Sequence, residues 1–153
     1  MNLSPHFTLA ELTHSKLAQA RGIVNTPPQE IVQRLTHTAH MLERIRAALG
    51  HVPITITSGY RCPALNTAVG SRTSSDHTQG HAADFVAPAF GTPEKIAQHL
   101  ATHIERLAIG QLILEHIQGK QWVHASTHLS KRAINRIITI SDAGTVAGIA
   151  TLA

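Results

Sequence analysis

The 153-residue sequence has a single cysteine, Cys62, and few aromatic or charged residues. One cysteine excludes an intrachain disulfide, so no part of the fold requires an oxidising compartment. Aromatic residues make up only 3% of the chain, and we therefore expect a core of Ile, Leu, Val and Ala. The hydrophobic fraction of 42%, with 14% charged residues, is typical of a globular protein and excludes an intrinsically disordered one.

Long apolar runs are also missing, and none approaches the roughly 18 residues of a membrane-spanning helix. The stretch MNLSPHFTLAELTHS lacks the basic start and apolar core of a secretory signal, so we expect synthesis in the cytoplasm. The basic residues behind the net charge of +4 are scattered and form no cluster with aromatic residues. A nucleic-acid partner is therefore not expected.

Hydrophobic periodicity predicts an α+β protein in which helices lie on one side of a mostly antiparallel sheet. Helical spacing predicts a short helix within 7–20, a long one over 28–49, and a third from Thr92 to His103 or Leu107. Apolar, β-branched runs predict five strands, the first of them buried, at 52–57, 83–87, 111–117, 121–126 and 136–140. We expect a single domain over residues 1–153.

Gln118-Gly119-Lys120 separates the strands at 111–117 and 121–126 and predicts a hairpin. With Gly119-Lys120 as a two-residue type II′ turn, Glu115 lies directly opposite His124. Opposed residues share a face, with Cβ atoms about 4.5–5.5 Å apart, so a carboxylate is expected beside an imidazole. This register fits two interpretations of Glu115 and His124. They form either an ion pair on a solvated face or a pair that takes part in the function.

The stretch SSDHTQGHAADF offers further ligands for a metal ion. Zinc binds imidazole nitrogens and carboxylate oxygens in tetrahedral geometry, and a catalytic site leaves one position open. His77 and Asp84 can close around one ion if the chain folds back at Gly80, where glycine supplies backbone freedom. The hairpin histidine is then the candidate third ligand, and the hairpin glutamate is the candidate base for the attacking water.

Several segments, taken in order along the chain, resemble a known family. They are SGYR at 58–61, Asn66, the pattern S-x-H-x-x-G-x-A-x-D from Ser75 to Asp84, and W-x-H from Trp122 to His124. This set resembles the zinc D-Ala-D-Ala carboxypeptidase family of peptidoglycan metallopeptidases. The segments FTLAEL and QLILE, and the helix end at Leu49-Gly50, resemble its phage-type branch. The resemblance extends from residue 7 to about residue 140.

The resemblance implies a small α+β domain of the Hedgehog/D-Ala-D-Ala peptidase type, with one Zn²⁺ per chain on an antiparallel sheet. His77, Asp84 and His124 would be the zinc ligands. Arg61 would hold a substrate carboxylate or the developing oxyanion, a task that suits its planar fork.

Three further residues receive supporting roles from the same resemblance. Ser75 would orient the loop or the first ligand without touching the metal. Tyr60 and Trp122 would lie in the core or the pocket wall, and Trp122 could also line the substrate groove.

The general base departs from the pattern of many relatives, which have an acid three residues before the last histidine ligand. Gln121 occupies that position here and cannot take a proton. Glu115 is therefore predicted to be the base. The alternative is that Glu115 only orients His124 and that catalysis is weak or absent.

Other titratable residues near these motifs are expected to lie outside the set of metal ligands. We expect His81 in a loop or behind a ligand, His116 on the strand face opposite Glu115, His128 exposed, Asp76 as a loop acid and Cys62 as a small packed residue.

The function implied by the resemblance is cleavage of peptidoglycan stem peptides, either as a D-Ala-D-Ala carboxypeptidase or as a murein endopeptidase. Without a signal, such an enzyme fits a phage or prophage endolysin that reaches the cell wall or periplasm through a holin or within a virion. The alternative is a non-catalytic, zinc-stabilised cell-wall-binding or phage tail module. Arg61 and Glu115 argue against it, because a structural metal site needs neither.

Overall fold

A computed structural model of the chain describes residues 1–130 and 136–151, and the rest of the predicted range 1–153 lies outside the described part. No helix in the described ranges is both long enough and apolar enough to cross a membrane. The helices are α1 (Leu9–Thr13), α2 (Lys16–Arg21), α3 (Gln29–Ala48), α4 (Pro63–Ala68) and α5 (Pro93–Ala101). The strands are β1 (Asn2–Ser4), β2 (Phe7–Thr8), β3 (Thr55–Ser58), β4 (Ala82–Val86), β5 (Ile109–Ile117), β6 (Lys120–Thr127), β7 (Arg136–Ser141) and β8 (Gly144–Ala147).

Six of these strands form one sheet in the order β3-β4-β6-β5-β7-β8. Neighbouring strands are antiparallel except β5 and β7, which run parallel. β1 and β2 form a separate antiparallel pair. The predicted α+β class is confirmed, and the sheet is antiparallel apart from that one pair.

The two faces of the sheet have different surroundings because side chains alternate along each strand. One face contributes to the hydrophobic core together with the apolar sides of α3 and α5. Its central residues are Ala83 and Phe85, Val123 and Ala125, and Leu112 and Leu114. Asp84, His124 and Glu115 alternate with these residues, so the three share the opposite face.

The long helix α3 confirms the prediction for 28–49. Leu35 and Leu42 are fully buried, and Ile31 and Ile45 lie on the same side at helical spacing. Burying each such side chain contributes about 1.5–3 kcal/mol. This apolar side of α3 belongs to the same core as the apolar face of the sheet, and the polar face lies on the other side.

The prediction of one helix within 7–20 is wrong, because the chain is extended at His14 between α1 and α2. Ser15 starts α2 with its own cap, since its Oγ accepts the Ala18 N–H at 3.1 Å. The predicted capping box at α1 is present: the Thr8 hydroxyl accepts the Glu11 N–H, and the Glu11 carboxylate accepts the Thr8 N–H. Two caps in close succession therefore divide the segment.

Two other predicted elements are shorter than expected. The strand predicted over 52–57 is not buried: β3 spans only Thr55–Ser58, lies at the sheet edge and alternates between exposed and half-buried residues. Pro53 precedes it and has no N–H to donate to a ladder. Helix α5 ends at Ala101, before the predicted end, and the chain continues there in turns.

The hairpin turn is Gln118-Gly119 and not Gly119-Lys120. Gln118 and Gly119 have φ angles of 51° and 77°, as a type I′ turn requires. The Asp142 carboxylate accepts the Gln118 N–H at 3.0 Å, which holds this non-glycine residue in the left-handed region.

The predicted direct pairing of Glu115 with His124 is therefore wrong. Glu115 lies opposite Trp122, and Ile113 lies opposite His124. Trp122 and His124 are two residues apart on one strand, so Glu115 still shares a face with His124, on a diagonal.

Candidate metal and catalytic site

His77 is held by the backbone of the SGYR segment. It lies in a short 3-10 helix, Asp76–Gln79, where a loop was predicted. Its Nδ1 is 2.8 Å from the Gly59 carbonyl oxygen, and its own carbonyl accepts the Arg61 N–H at 3.2 Å. A ring N–H donated to a carbonyl leaves Nε2 with the lone pair that a metal ion needs.

Gly59 can hold this position because it has no side chain. A Cβ added there would lie 2.2 Å from the Leu12 carbonyl oxygen. The same oxygen accepts the Tyr60 N–H at 2.7 Å. The end of α1 thus supports the SGYR segment, and through it His77.

Gly80 closes the 3-10 helix with a φ of 74°, the left-handed angle at which the chain turns back towards β4. On β4, Asp84 is paired directly with His124 of β6. Asp84 Oδ1 lies 2.9 Å from His124 Nδ1 and 3.2 Å from His77 Nε2. The fold-back and the strand register together bring the three predicted ligands into contact.

These three side chains fit a zinc ion. Their ligand atoms lie within 4.8 Å of one another, and in residues 1–130 and 136–151 no other group of three His, Cys, Asp or Glu residues does so. Zinc bonds of about 2.0–2.2 Å in tetrahedral geometry place ligand atoms about 3.3–3.6 Å apart. Two imidazoles and one carboxylate form a donor set that zinc accepts, and three ligands leave one position open.

The electrostatics of the three ligands favour an ionised aspartate. Burial opposes the ionisation of Asp84, but its interactions with His77 and His124 outweigh burial and hold its pKa well below the usual range. Burial alone lowers the pKa of His124, yet the hydrogen bond and charge of Asp84 raise it overall. The site therefore holds a buried negative charge that a cation can neutralise.

Glu115 and Arg61 lie beside this cluster on different elements. Burial raises the pKa of the Glu115 carboxyl, and the negative charge of Asp84 adds to the rise. A raised pKa suits a base that takes a proton near neutral pH. The Arg61 guanidinium donates to Ser75 Oγ at 3.2 Å and approaches Ser58 Oγ at 3.5 Å.

The predicted supporting residues fall into two groups. Ser75 accepts both the His77 backbone N–H, at 3.3 Å, and the Arg61 guanidinium, so it ties these two residues together. Tyr60 is 5% exposed and belongs to the hydrophobic core. Trp122 lies opposite Glu115 and lines a cavity next to Asp84. Their parts in substrate binding stay predictions.

Two cavities, each of about 490 Å³, adjoin the metal-ligand cluster. The first, here called the Arg61 cavity, is lined by Arg61, Asp84 and Trp122 and also by Lys16 and Lys120. The second, here called the Glu115 cavity, has charged lining residues of both signs: Arg72, Asp76, Glu115 and Arg136, with His124 at its edge. Asp84 lines one cavity and His124 the other, so both cavities reach the metal-ligand cluster.

The remaining candidates lie away from the metal-ligand atoms. His128 is exposed, and His116 pairs with Gln121 on the face opposite Glu115. His81 is half-buried, and burial lowers its pKa. Cys62 is half-buried beside the core.

Gln121 also points away from the site, because it alternates with Trp122 on β6. It lines a separate shallow cavity with Val86 and Pro88. An acid at this position would not face His124 in this fold.

The description of Asp76 as a loop acid is wrong. Asp76 is 8% exposed, and its carboxylate accepts hydrogen bonds from Ser126 at 2.8 Å and Ser130 at 2.9 Å. Ser126 in turn contacts His124 Nε2 at 2.9 Å. Only the position of Ser126, two residues after His124 on one strand face, could have indicated this contact from the sequence.

The fold and the buried cluster define an α+β protein with three side chains placed to hold one metal ion. The family model for Peptidase M15 matches residues 5–126, and the chain belongs to that family. It is also 34% identical, over 86 residues, to the zinc D-Ala-D-Ala carboxypeptidase of Streptomyces albus G. That match covers 56% of this chain and 33% of the relative, so the chain spans about a third of that protein.

The family predicted from the sequence is confirmed by these matches, and the metal-ligand cluster agrees with the one zinc ion that was predicted. The phage-type branch stays a prediction.

Proposed function

We propose that this protein is a zinc peptidase that hydrolyses the stem peptides of peptidoglycan. The observation that carries the proposal is the buried contact of His77, Asp84 and His124 beside Glu115 and Arg61. The similarity to a zinc D-Ala-D-Ala carboxypeptidase supports the substrate class.

The residues divide the chemistry between them. A zinc ion held by the three ligands would supply a Lewis acid that polarises the scissile carbonyl. Glu115 takes a proton from the attacking water and delivers it to the leaving amine. Arg61 holds a carboxylate of the substrate or the developing oxyanion.

The pair of cavities supports cleavage of an internal bond over removal of a terminal D-Ala. Cavities of about 300–1,000 Å³ hold ligands much larger than one alanine. The Arg61 cavity is also lined by Lys16 and Lys120, which suits a carboxylate-rich segment. We therefore propose that peptide extends from the metal in both directions.

The first experiment is a mass profile of soluble products after the protein is incubated with purified sacculi and with disaccharide-pentapeptides. Released stem peptides support an endopeptidase, whereas a product lighter than the pentapeptide by the mass of one alanine residue supports a carboxypeptidase. A His77→Ala variant is the control. If folded, zinc-loaded protein changes neither substrate, the peptidase proposal fails and a non-catalytic zinc-stabilised wall-binding or tail module replaces it.

We further propose that the protein comes from a phage or prophage, is made in the cytoplasm and acts at the cell wall after release or within a virion. The FTLAEL and QLILE segments support this setting. Expression in a bacterial host tests it: we expect lysis when a holin or an export signal accompanies the protein and none without either. Equal lysis without them would contradict dependence on release.

A further inference from the structure

His124 can bind a metal ion through either ring nitrogen, and the structure shows a different neighbour for each. Nδ1 lies 2.9 Å from Asp84 Oδ1 and faces the other ligands. Nε2 lies 2.9 Å from Ser126 Oγ and faces away from them. A histidine ligand needs its lone pair on the nitrogen that faces the metal and a proton on the other.

Ser126 determines which nitrogen carries that proton. Its hydroxyl has one hydrogen, and that hydrogen is donated to the Asp76 carboxylate at 2.8 Å. The Ser126 oxygen can then only accept from His124. His124 therefore carries a proton on Nε2, and a metal ion can bind Nδ1 by displacing the proton that Nδ1 shares with Asp84.

Asp76 fixes this direction because a carboxylate accepts hydrogen bonds and does not donate them. It also accepts the Ser130 hydroxyl, at 2.9 Å from both carboxylate oxygens. The chain Asp76–Ser126–His124 is buried, with Ser126 fully inaccessible. Hydrogen bonds in such a low-dielectric setting are stronger than in water.

We propose that Asp76 is a positioning residue that acts through Ser126 to present His124 Nδ1 to the metal ion. The inference rests on the proposed zinc site. It assigns a second task to the 3-10 helix Asp76–Gln79, which supplies the ligand His77 and also orients the ligand His124.

The test compares two serines that both donate to Asp76, only one of which contacts His124. Ser126→Ala removes the link, and Ser130→Ala is the matched control. Zinc affinity is measured by chelator competition. Loss of a group behind a histidine ligand lowers metal affinity by about 10–100-fold, and we expect this for Ser126→Ala, with a change below about threefold for Ser130→Ala.

Asp76→Asn supplies a second variant. One carboxamide offers a single oxygen acceptor to two serine hydroxyls, so Ser126 can turn its hydrogen towards His124. We expect weaker zinc binding, again by about 10–100-fold. Circular dichroism of the metal-free variants checks that each is folded.

Nitrogen-15 NMR of the zinc-loaded wild type gives an independent readout. We expect zinc on His124 Nδ1 and a proton on Nε2. Zinc on Nε2, or equal zinc affinities of Ser126→Ala and Ser130→Ala, would overturn the proposal.

Failure of Ser126→Ala to fold would also count against the proposal, because it would show a structural role. Absence of zinc binding by the wild type would instead refute the zinc site itself, so the two failures can be told apart.

Discussion

The site has a loop-borne half and a strand-borne half, and the two are held by different means. The first, here called the loop-borne half, consists of Arg61, Ser75 and His77, which lie in the connection between β3 and β4 that includes the 3-10 helix Asp76–Gln79. Its ligand ring is oriented by the backbone carbonyl of Gly59. In the strand-borne half, which consists of Asp84, Glu115 and His124, the ligand ring is oriented by side chains. The orientation of a ligand ring held by a backbone carbonyl depends on the conformation of the main chain. The orientation of a ring held by side chains depends on those side chains, each of which one substitution can remove.

Removal of a ligand from either half should have the largest effect. We expect His77→Ala, Asp84→Asn and His124→Ala each to abolish stoichiometric zinc binding and peptidase activity, because two donors cannot form the site. Elemental analysis of the purified variants measures the zinc. His116→Ala, on the opposite strand face, is the control and should keep one zinc per chain. A fully zinc-loaded His77→Ala would show that the loop-borne half is not part of the site.

Glu115→Gln should retain zinc and lose activity by about 10²–10⁴-fold, the usual contribution of a general base. The amide keeps the size of the side chain but cannot take a proton. Steady-state hydrolysis of a stem peptide measures the rate, and elemental analysis confirms the metal.

The double variant Glu115→Gln/Gln121→Glu distinguishes the two positions for the base. Gln121 faces away from His124, so the added acid should not restore the rate. Recovery of activity would mean that β6 can present position 121 to the metal, contrary to this register.

Gly59→Ala should damage the loop-borne half through packing alone. The new Cβ meets the Leu12 carbonyl oxygen, so the SGYR segment must shift, and overpacking of this kind costs about 1–3 kcal/mol. Urea unfolding measures the stability, and chelator competition measures zinc affinity.

Gly91→Ala is the matched control, because the nearest atoms to its added Cβ belong to the flexible Lys95 side chain. Both readouts should stay near wild type there. Equal stability of the two variants would contradict the close contact at Leu12.

Zinc affinity should fall at acidic pH because His124, in the strand-borne half, takes up a proton. Asp84 raises the pKa of His124, so His124 keeps its proton to a higher pH than a free histidine. Zinc must displace that proton, and affinity should fall by about tenfold for each pH unit below this pKa. Competition with a chelator calibrated at each pH measures the slope. A flat profile between about pH 5 and 7 would show that His124 binds no proton there.

The sequence predicted much of this arrangement because its motifs lie on regular elements. The face shared by Glu115 and His124 was correct even though the turn was misplaced, since a shift that keeps strand parity preserves the face. The position of the turn was not predicted because Gln118 is held by Asp142, which lies 24 positions further along the chain.

Asp76 was misjudged for a related reason. Its partner Ser126 is 50 positions away, and spacing within the histidine motif cannot show such a contact. The N-terminal segment forms two helices and not one because Ser15 is as good an N-cap as Thr8, and each of them starts a helix.

The pairing of Asp84 with His124 joins residues 40 positions apart in the chain. An ion bound to both closes a loop of that length in the folded state. Unlike a disulfide, it leaves the unfolded chain unconstrained and stabilises the protein by binding the folded state alone. The bound ion should thus link β4 and β6 reversibly. The thermal unfolding temperature should rise with the free zinc concentration. Chelation should lower the stability of the sheet where β4 pairs with β6.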